Sequence, residues 1–367
     1  MTDDTWTVKR ILEWIEGYLE QHGDESPRMS AQWLVSEALG VSRMQLFLDA
    51  ERPLSPDERA TLRDWTRRRA NGEPLQYITG ETAFRHITVK VRPGVLIPRP
   101  ETEVLVSEAL ALLPAPRKPQ DDFDDAIIRR LAELEASAQA GMESVDDLGD
   151  SGAPINPAIE SEGDTTAWAS NAAPRHIDPA VESEGATTPS EPVGTLLVAD
   201  ICTGTGCIAC SIASEHPDTR IIATDLSPIA VELARENVDA LELSERIEVV
   251  ECDLASGIDG SLAGAFDLVV SNPPYIPTEV LDSLPSEVGD FEPELALDGG
   301  ADGLNVFRNL LDWCALALKP GGAFAFELHE TRLEAAAAEA GAAGFTDIRI
   351  IDDLAGKPRV LVGRKRS

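Results

Sequence analysis

Four short apolar runs, spaced along the second half of the chain, constrain its fold more than any other feature. They lie at 195–201, 220–224, 247–251 and 266–270. Each is rich in Val and Ile and ends at a glycine, an acid or a proline, so each reads as a buried strand. Helical patterns separate the first three, and a shorter link precedes the fourth. A fifth strand is expected at 323–328, after a helix ending at Lys319-Pro320-Gly321-Gly322. Then come a helix over 331–342, a strand at 345–351, a turn near Gly356-Lys357 and a last strand at 358–363. Strands alternating with helices build a doubly wound α/β sheet of parallel strands. The closing hairpin is expected to add one antiparallel edge strand.

The strand ends carry the chemistry. Asp200-Ile201-Cys202-Thr203-Gly204-Thr205-Gly206 turns the first strand into the first helix. Glycines there make a tight turn and let backbone approach a ligand. Asp225 ends the second strand, where an acid can take both hydroxyls of a ribose. Asp253-Leu254 follows the third, an acid and an apolar side chain suited to the edge and face of adenine. Open α/β sheets bind ligands at such carboxyl ends. GTGCIA also satisfies the dinucleotide pattern G-x-G-x-x-A, and by itself leaves NAD, S-adenosylmethionine and an empty tight turn all open.

The fourth strand separates these. It runs straight into Asn272-Pro273-Pro274-Tyr275. Proline cannot donate to a ladder, so the strand stops there and the turn is stiff. A planar NH2 is a poor nucleophile, because its lone pair is delocalised. Methylating it requires aiming the nitrogen at the methyl group, so positioning dominates. Two acceptors hold the two N–H groups: the Asn272 side-chain oxygen and the Pro273 backbone carbonyl. Tyr275 supplies an aromatic face for the planar group. The nitrogen becomes positive in the transition state, and the same acceptors stabilise it. The bland alternative is a proline-rich strand end with a packed tyrosine.

The remaining chain is organised around this half. Residues 1–80 look helical: Ile11, Trp14, Ile15, Tyr18 and Leu19 recur at helical spacing, as do Trp33, Leu34 and Ala38 after the cap candidate Ser30. Ser55-Pro56-Asp57-Glu58 opens a further helix that stops at Asn71-Gly72. Its basic end, Arg67-Arg68-Arg69, reads as a solvated terminus. Ile87, Val89 and Val91 alternate with polar residues and, with Leu96 and Ile97 beyond Pro93-Gly94, predict a hairpin. Glu101-Thr102-Glu103 is the acidic first turn of a helix through Leu112. Residues 114–193 hold 17 acidic against 5 basic residues, and PAIESEGDTT (157–166) returns as PAVESEGATT (179–188). Low hydrophobicity and acidic excess predict a disordered insertion, with one helix-like stretch at 127–140.

Charge and cysteines exclude several classes. The 367 residues carry 65 acidic and 31 basic side chains, a net charge of −34, which disfavours binding nucleic acid through a general field. No run of about 18 apolar residues spans a membrane. The acidic start MTDDTWTVKR has no apolar signal core, so a cytoplasmic location is expected. Cys202, Cys207 and Cys210 copy the opening of an iron–sulfur signature. Small-residue packing at a strand end and helix start is the preferred reading, and no metal is expected.

EPLQYITGE (73–81), VLIPRPETEVLV (95–106), DICTGTGCIA (200–209), SNPPYIP (271–277), FEPELALDGGADGL (291–304) and DLAGKPRVLVGR (353–364) together resemble the PrmC/HemK protein-(glutamine-N5) methyltransferases. The resemblance covers about 1–113 and 194–367. It implies a helical N-terminal domain at 1–80 that docks the substrate. A hairpin linker and first catalytic helix would follow at 81–113. Residues 194–367 would form a class I, Rossmann-like methyltransferase domain using S-adenosylmethionine. The implied substrate is the glutamine of the Gly-Gly-Gln motif in class I peptide release factors, with a monomeric enzyme and no direct contact to nucleic acid. Carried over by position, Cys202, Thr203, Gly204, Thr205 and Gly206 would line the methionine and ribose. Asp225 would hold the ribose, and Asp253 and Leu254 the adenine. Asn272 would touch cofactor and substrate, and Pro273, Pro274 and Tyr275 would complete the substrate pocket. Arg99, Glu101 and Thr102 would close over the cofactor. Cys202 stands where the family usually has glycine. The insertion replaces a short connection. Asn-Pro-Pro-Tyr is also shared with adenine-N6 methyltransferases of DNA and RNA, which leaves that activity as the alternative. A non-enzymatic acidic interaction protein is the third reading, and it predicts no binding of S-adenosylmethionine.

Overall fold

The computed structural model describes residues 5–116 and 195–367. The disorder and the helix expected within 114–193 therefore lie almost wholly outside the described residues. The chain opens with helices α1 (Val8–Gln21), α2 (Pro27–Leu39), α3 (Arg43–Leu48), α4 (Pro56–Ala70) and α5 (Leu75–Thr79). In α1, Val8, Ile11, Ile15 and Leu19 recur at helical spacing and are buried against Leu34, Leu46 and Leu62. The helix expected after Ser30 starts earlier, at Pro27 behind Ser26, because proline suits a first turn. Ser30 is buried, and its hydroxyl donates to Asp24 Oδ2 at 2.9 Å. Ser55 caps α4 in a full capping box with Glu58, as its sequence anticipates.

Two of the three arginines ending α4 are ion-paired rather than free in solvent. Arg69 pairs with the buried carboxylate of Asp24 at 2.6 Å and with Glu287 at 2.7 Å, and Arg68 pairs with Glu73 at 2.5 Å. The long guanidinium reaches acids that sequence neighbours do not reveal.

The hairpin also differs from expectation. Strand β1 (Glu81–Phe84) pairs antiparallel with β2 (Ile87–Lys90), and Leu96 and Ile97 lie outside it. The turn falls at Arg85, whose backbone is left-handed (φ 52°). Its guanidinium is fixed by Glu215 at 2.6 and 2.7 Å. Beyond Pro93 the chain leaves the hairpin, and Tyr77 Oη donates to the Val95 carbonyl at 2.6 Å.

Helix α6 (Thr102–Leu112) leads to the main sheet, formed by β3 (Leu196–Ile201), β4 (Thr219–Asp225), β5 (Ile247–Glu251), β6 (Phe266–Ser271), β7 (Leu318–Glu327), β8 (Thr346–Asp352) and β9 (Pro358–Arg364). Helices α7 (Cys207–Glu215) and α8 (Pro228–Ala240) connect β3 to β4 and β4 to β5. The short α9 (Ser286–Gly289) and then α10 (Asn305–Ala317) lie between β6 and β7, and α11 (Leu333–Ala342) follows β7. The strand order is β5-β4-β3-β6-β7-β9-β8. β3 to β7 are parallel, and β9 is antiparallel to both its neighbours. The antiparallel strand is thus interior and β8 takes the edge. Burial explains the exchange: Val360, Leu361 and Val362 of β9 are fully buried, whereas polar residues alternate through β8. Phe324 and Phe326 stack at 5.0 Å in the core beside the site. Among the described residues, no helix is long and apolar enough to cross a membrane.

The order reverses between β3 and β6, because successive strands leave β3 first to one side and then to the other. That switch point opens a crevice at the strands' carboxyl ends.

Candidate active site

A cavity of about 210 Å³ occupies this crevice. Its floor is the turn from β3 into α7. Asp200 is fully buried there; its Oδ2 accepts from Thr203 Oγ1 at 2.6 Å and Ala209 N at 3.1 Å, which ties the turn to the helix start. Burial pushes the Asp200 carboxyl up to about 7, against these two donors. Cys202, Gly204 and Gly206 all have left-handed backbone, at φ 62°, 56° and 80°. Gly206 is needed twice over, because a Cβ would also come within 3.3 Å of Ala234 on α8. Cys202 adopts the same conformation with a side chain, and it lines the cavity. Cys207 and Cys210 are buried free thiols in α7, packed as small apolar residues.

Asp225 closes the second side. Its Oδ2 accepts from Gly204 N at 2.8 Å and its Oδ1 from Ser227 N at 2.9 Å. Each oxygen keeps a lone pair for a ligand in the cavity it lines. Burial raises its carboxyl above the ordinary range, opposed by these backbone donors. Asp253 and Leu254 follow β5. The Leu254 carbonyl accepts from Thr224 Oγ1 at 2.6 Å, so strand β4 holds the third loop.

On the fourth side Asn272 and Pro274 line the cavity, whereas Pro273 is buried behind it. Asn272 Nδ2 donates to Thr102 Oγ1 at 3.2 Å. Tyr275 turns away from the cavity, and its hydroxyl donates to Glu327 Oε1 at 3.2 Å. The loop after Leu297 clamps this turn. Ile276 N donates to the Leu297 carbonyl at 2.9 Å, and Gly299 N to the Ile276 carbonyl at 2.8 Å. A Cβ on Gly299 would lie 2.7 Å from Tyr275 Cα, so only glycine fits.

Of the residues predicted from sequence, the structure gathers Arg99, Thr102, Cys202, Thr203, Gly204, Thr205, Asp225, Asp253, Leu254, Asn272 and Pro274 around one cavity. Gly206 sits just behind it at the start of α7. Glu101 is exposed and, like Pro273 and Tyr275, does not line it. Sequence reasoning missed the wall built by Val95 to Pro98, and the buried acids Glu292 and Glu327. An acid inside the apolar run AFAFELH was the available signal for Glu327, since lone buried acids are rare.

The donor set suits S-adenosylmethionine: a carboxylate with free lone pairs for a ribose, an acid and leucine for adenine, and a glycine turn for close approach. Sheet order and site together define a class I S-adenosylmethionine-dependent methyltransferase. Comparison with known proteins narrows this. Residues 10–80 match the PrmC N-terminal domain and residues 189–283 the methyltransferase small domain. A release factor glutamine methyltransferase from Geobacter sulfurreducens is 32% identical over 98% of both chains. Those of Rhodopirellula baltica (31%, covering 99% of this chain and 98% of its own) and Caulobacter vibrioides (32%, 98% and 97%) are equally similar throughout. The chain belongs to the release factor glutamine methyltransferase family.

Proposed function

We propose that this protein methylates the side-chain N5 of the glutamine in the Gly-Gly-Gln motif of class I peptide release factors. The observation that carries this reading is Asn272, placed on the cavity wall directly beyond β6 with its amide nitrogen bonded to Thr102. S-adenosylmethionine, when bound, supplies a methyl group on a positively charged sulfur. The protein's own work is positional. The Asn272 oxygen and the Pro273 carbonyl accept the two N–H groups of the glutamine amide and stabilise the charge that grows on its nitrogen. Pro274 bounds the acceptor side from the cavity wall. Asp225 holds the ribose, Asp253 and Leu254 the adenine, and Cys202 to Gly206 the methionine end.

The helices spanning Val8 to Thr79 form the docking domain for the release factor. The enzyme acts as a cytoplasmic monomer. The net charge of −34 supports a protein acceptor over nucleic acid, since phosphate contacts supply most affinity for the latter. Labelled methyl transfer to release factor, RNA and DNA, run side by side, tests this. Label on release factor alone is expected; label on RNA or DNA with none on release factor would overturn it.

A further inference from the structure

The loop that clamps the Asn-Pro-Pro-Tyr turn is itself seated on the N-terminal helices. Glu287, in the short α9, pairs with Arg69 at the end of α4 at 2.7 Å. The Arg69 side chain is 10% exposed, and its Nε is held by the buried Asp24 at 2.6 Å. Further along the loop, the half-buried Phe291 packs against Tyr77 of α5 and against Val91 and Ile97. A Cβ on Gly72 would stand 3.6 Å from Phe291 Cε2, so the ring also abuts the turn after α4. Tyr77 is a firm partner: it is buried, and its hydroxyl is committed to the Val95 carbonyl.

From this seat the chain leads to the chemistry. Pro293, Leu295 and Ala296 line the cavity. Leu297 N and Asp298 N both donate to the Glu294 carbonyl at 2.9 Å, which folds these residues into one tight turn. The Leu297 carbonyl accepts from Ile276 N, and Gly299 N donates back to the Ile276 carbonyl. A shift of Phe291 is therefore passed by backbone hydrogen bonds to Ile276, immediately beyond Asn-Pro-Pro-Tyr. Resting on the reading that this turn receives the glutamine amide, we propose that Phe291 is a positioning residue for methyl transfer. Its seat on α4 and α5 makes the N-terminal helices part of the active site's frame. The helices then serve the chemistry on any acceptor, including one too small to touch them. A turn stiffened by prolines follows the backbone to which it is bonded, and the rate depends steeply on where it stands. Glu287 adds a weaker tie, because it is half exposed.

Full-length protein carrying Phe291→Ala, Phe291→Leu or Glu287→Ala tests this. Neither residue lines the cavity, and Glu287→Ala leaves the Arg69–Asp24 pair in place. The acceptor is a short Gly-Gly-Gln peptide, which carries none of the rest of a release factor. At saturating cofactor, Phe291→Ala is expected to lower kcat by about 10–100-fold. Phe291→Leu should recover most of that rate, and Glu287→Ala should cost about two- to fivefold. Hydrogen exchange needs no acceptor. In Phe291→Ala the amides of Ile276 and Gly299 should exchange about tenfold faster or more, while those of β3 and β4 keep their wild-type rates. An unchanged kcat in Phe291→Ala, or a rate that leucine does not recover, would overturn the proposal. So would exchange that quickens equally in β3 and β4, because that marks general destabilisation. If Phe291→Ala does not fold, Glu287→Ala carries both readouts, and wild-type rate and exchange there would overturn the proposal. A wild-type enzyme inactive on the peptide would sink the glutamine reading, while the exchange measurement still decides the seat.

Discussion

Glu292 holds Arg99 from inside the protein: its carboxylate is buried, ion-paired with the Arg99 guanidinium, and accepts from Ile97 N at 3.2 Å. The two segments joined by this pair, at 95–99 and 293–298, both line the cavity. Burial pushes the Glu292 carboxyl up and Arg99 holds it down. Glu292→Ala would leave the Ile97 N–H without its acceptor, at about 1–3 kcal/mol. It should lower the melting temperature and weaken binding of S-adenosylhomocysteine by roughly tenfold or more, since about 1.4 kcal/mol is tenfold. Unchanged affinity by calorimetry would mean the clasp does not shape the cavity.

Asp225→Ala is expected to act on affinity rather than chemistry. Charge-assisted hydrogen bonds to ribose hydroxyls contribute roughly 1.5–3 kcal/mol each. Saturating cofactor should restore much of the rate, because Asp225 ends β4, with β3 between it and the β6 end that carries Asn272. A kcat that stays low at saturation would displace Asp225 from the ribose.

Gly299→Ala should do the reverse. The added Cβ meets the Tyr275 backbone at 2.7 Å, so the Asn-Pro-Pro-Tyr turn must shift. Overpacking of this kind costs about 1–3 kcal/mol. The loss should fall on kcat, with cofactor affinity nearly intact. Equal rates in variant and wild type would show that the turn tolerates displacement.

The stability of the Gly-rich turn should depend on pH through Asp200. Its carboxyl is pushed up to about 7 in the fold, against about 3.9 unfolded. The folded state therefore binds the proton more tightly. This contribution is complete below pH of about 4 and lost as pH rises through about 7. Asp200→Asn cannot ionise, so its melting temperature relative to wild type should rise between pH 5 and pH 8. A difference that does not change with pH would contradict the raised value.

Local features of the sequence anticipated what local physics controls. Ser55 was legible as a cap because its partner Glu58 is three residues away. Strands β3 to β6 were legible as apolar runs, and Asp225 and Asn272 as their terminal residues. Partners far apart in sequence were not legible. Nothing at Thr102 marks its bond to Asn272, 170 residues on, and nothing at Glu292 marks Arg99, 193 residues earlier. The place of β9 inside the sheet is likewise a pairing choice, and its burial on both faces became visible only with its neighbours. The β1–β2 hairpin turns at a different place from the one expected because Pro93-Gly94 is a stronger local turn signal than Arg85-His86, whose left-handed residue is held by the distant Glu215.

The most direct test of the account is the mass of a Gly-Gly-Gln peptide from a class I release factor, incubated with S-adenosylmethionine and either wild-type protein or Asn272→Ala. Removing one charge-stabilising acceptor should lower the rate by about 10²–10³. The account predicts one added methyl group, placed by fragmentation on the glutamine side chain, with wild type and almost none with Asn272→Ala. An unmodified peptide with wild type, or an Asn272→Ala rate within a few-fold of wild type, would contradict it.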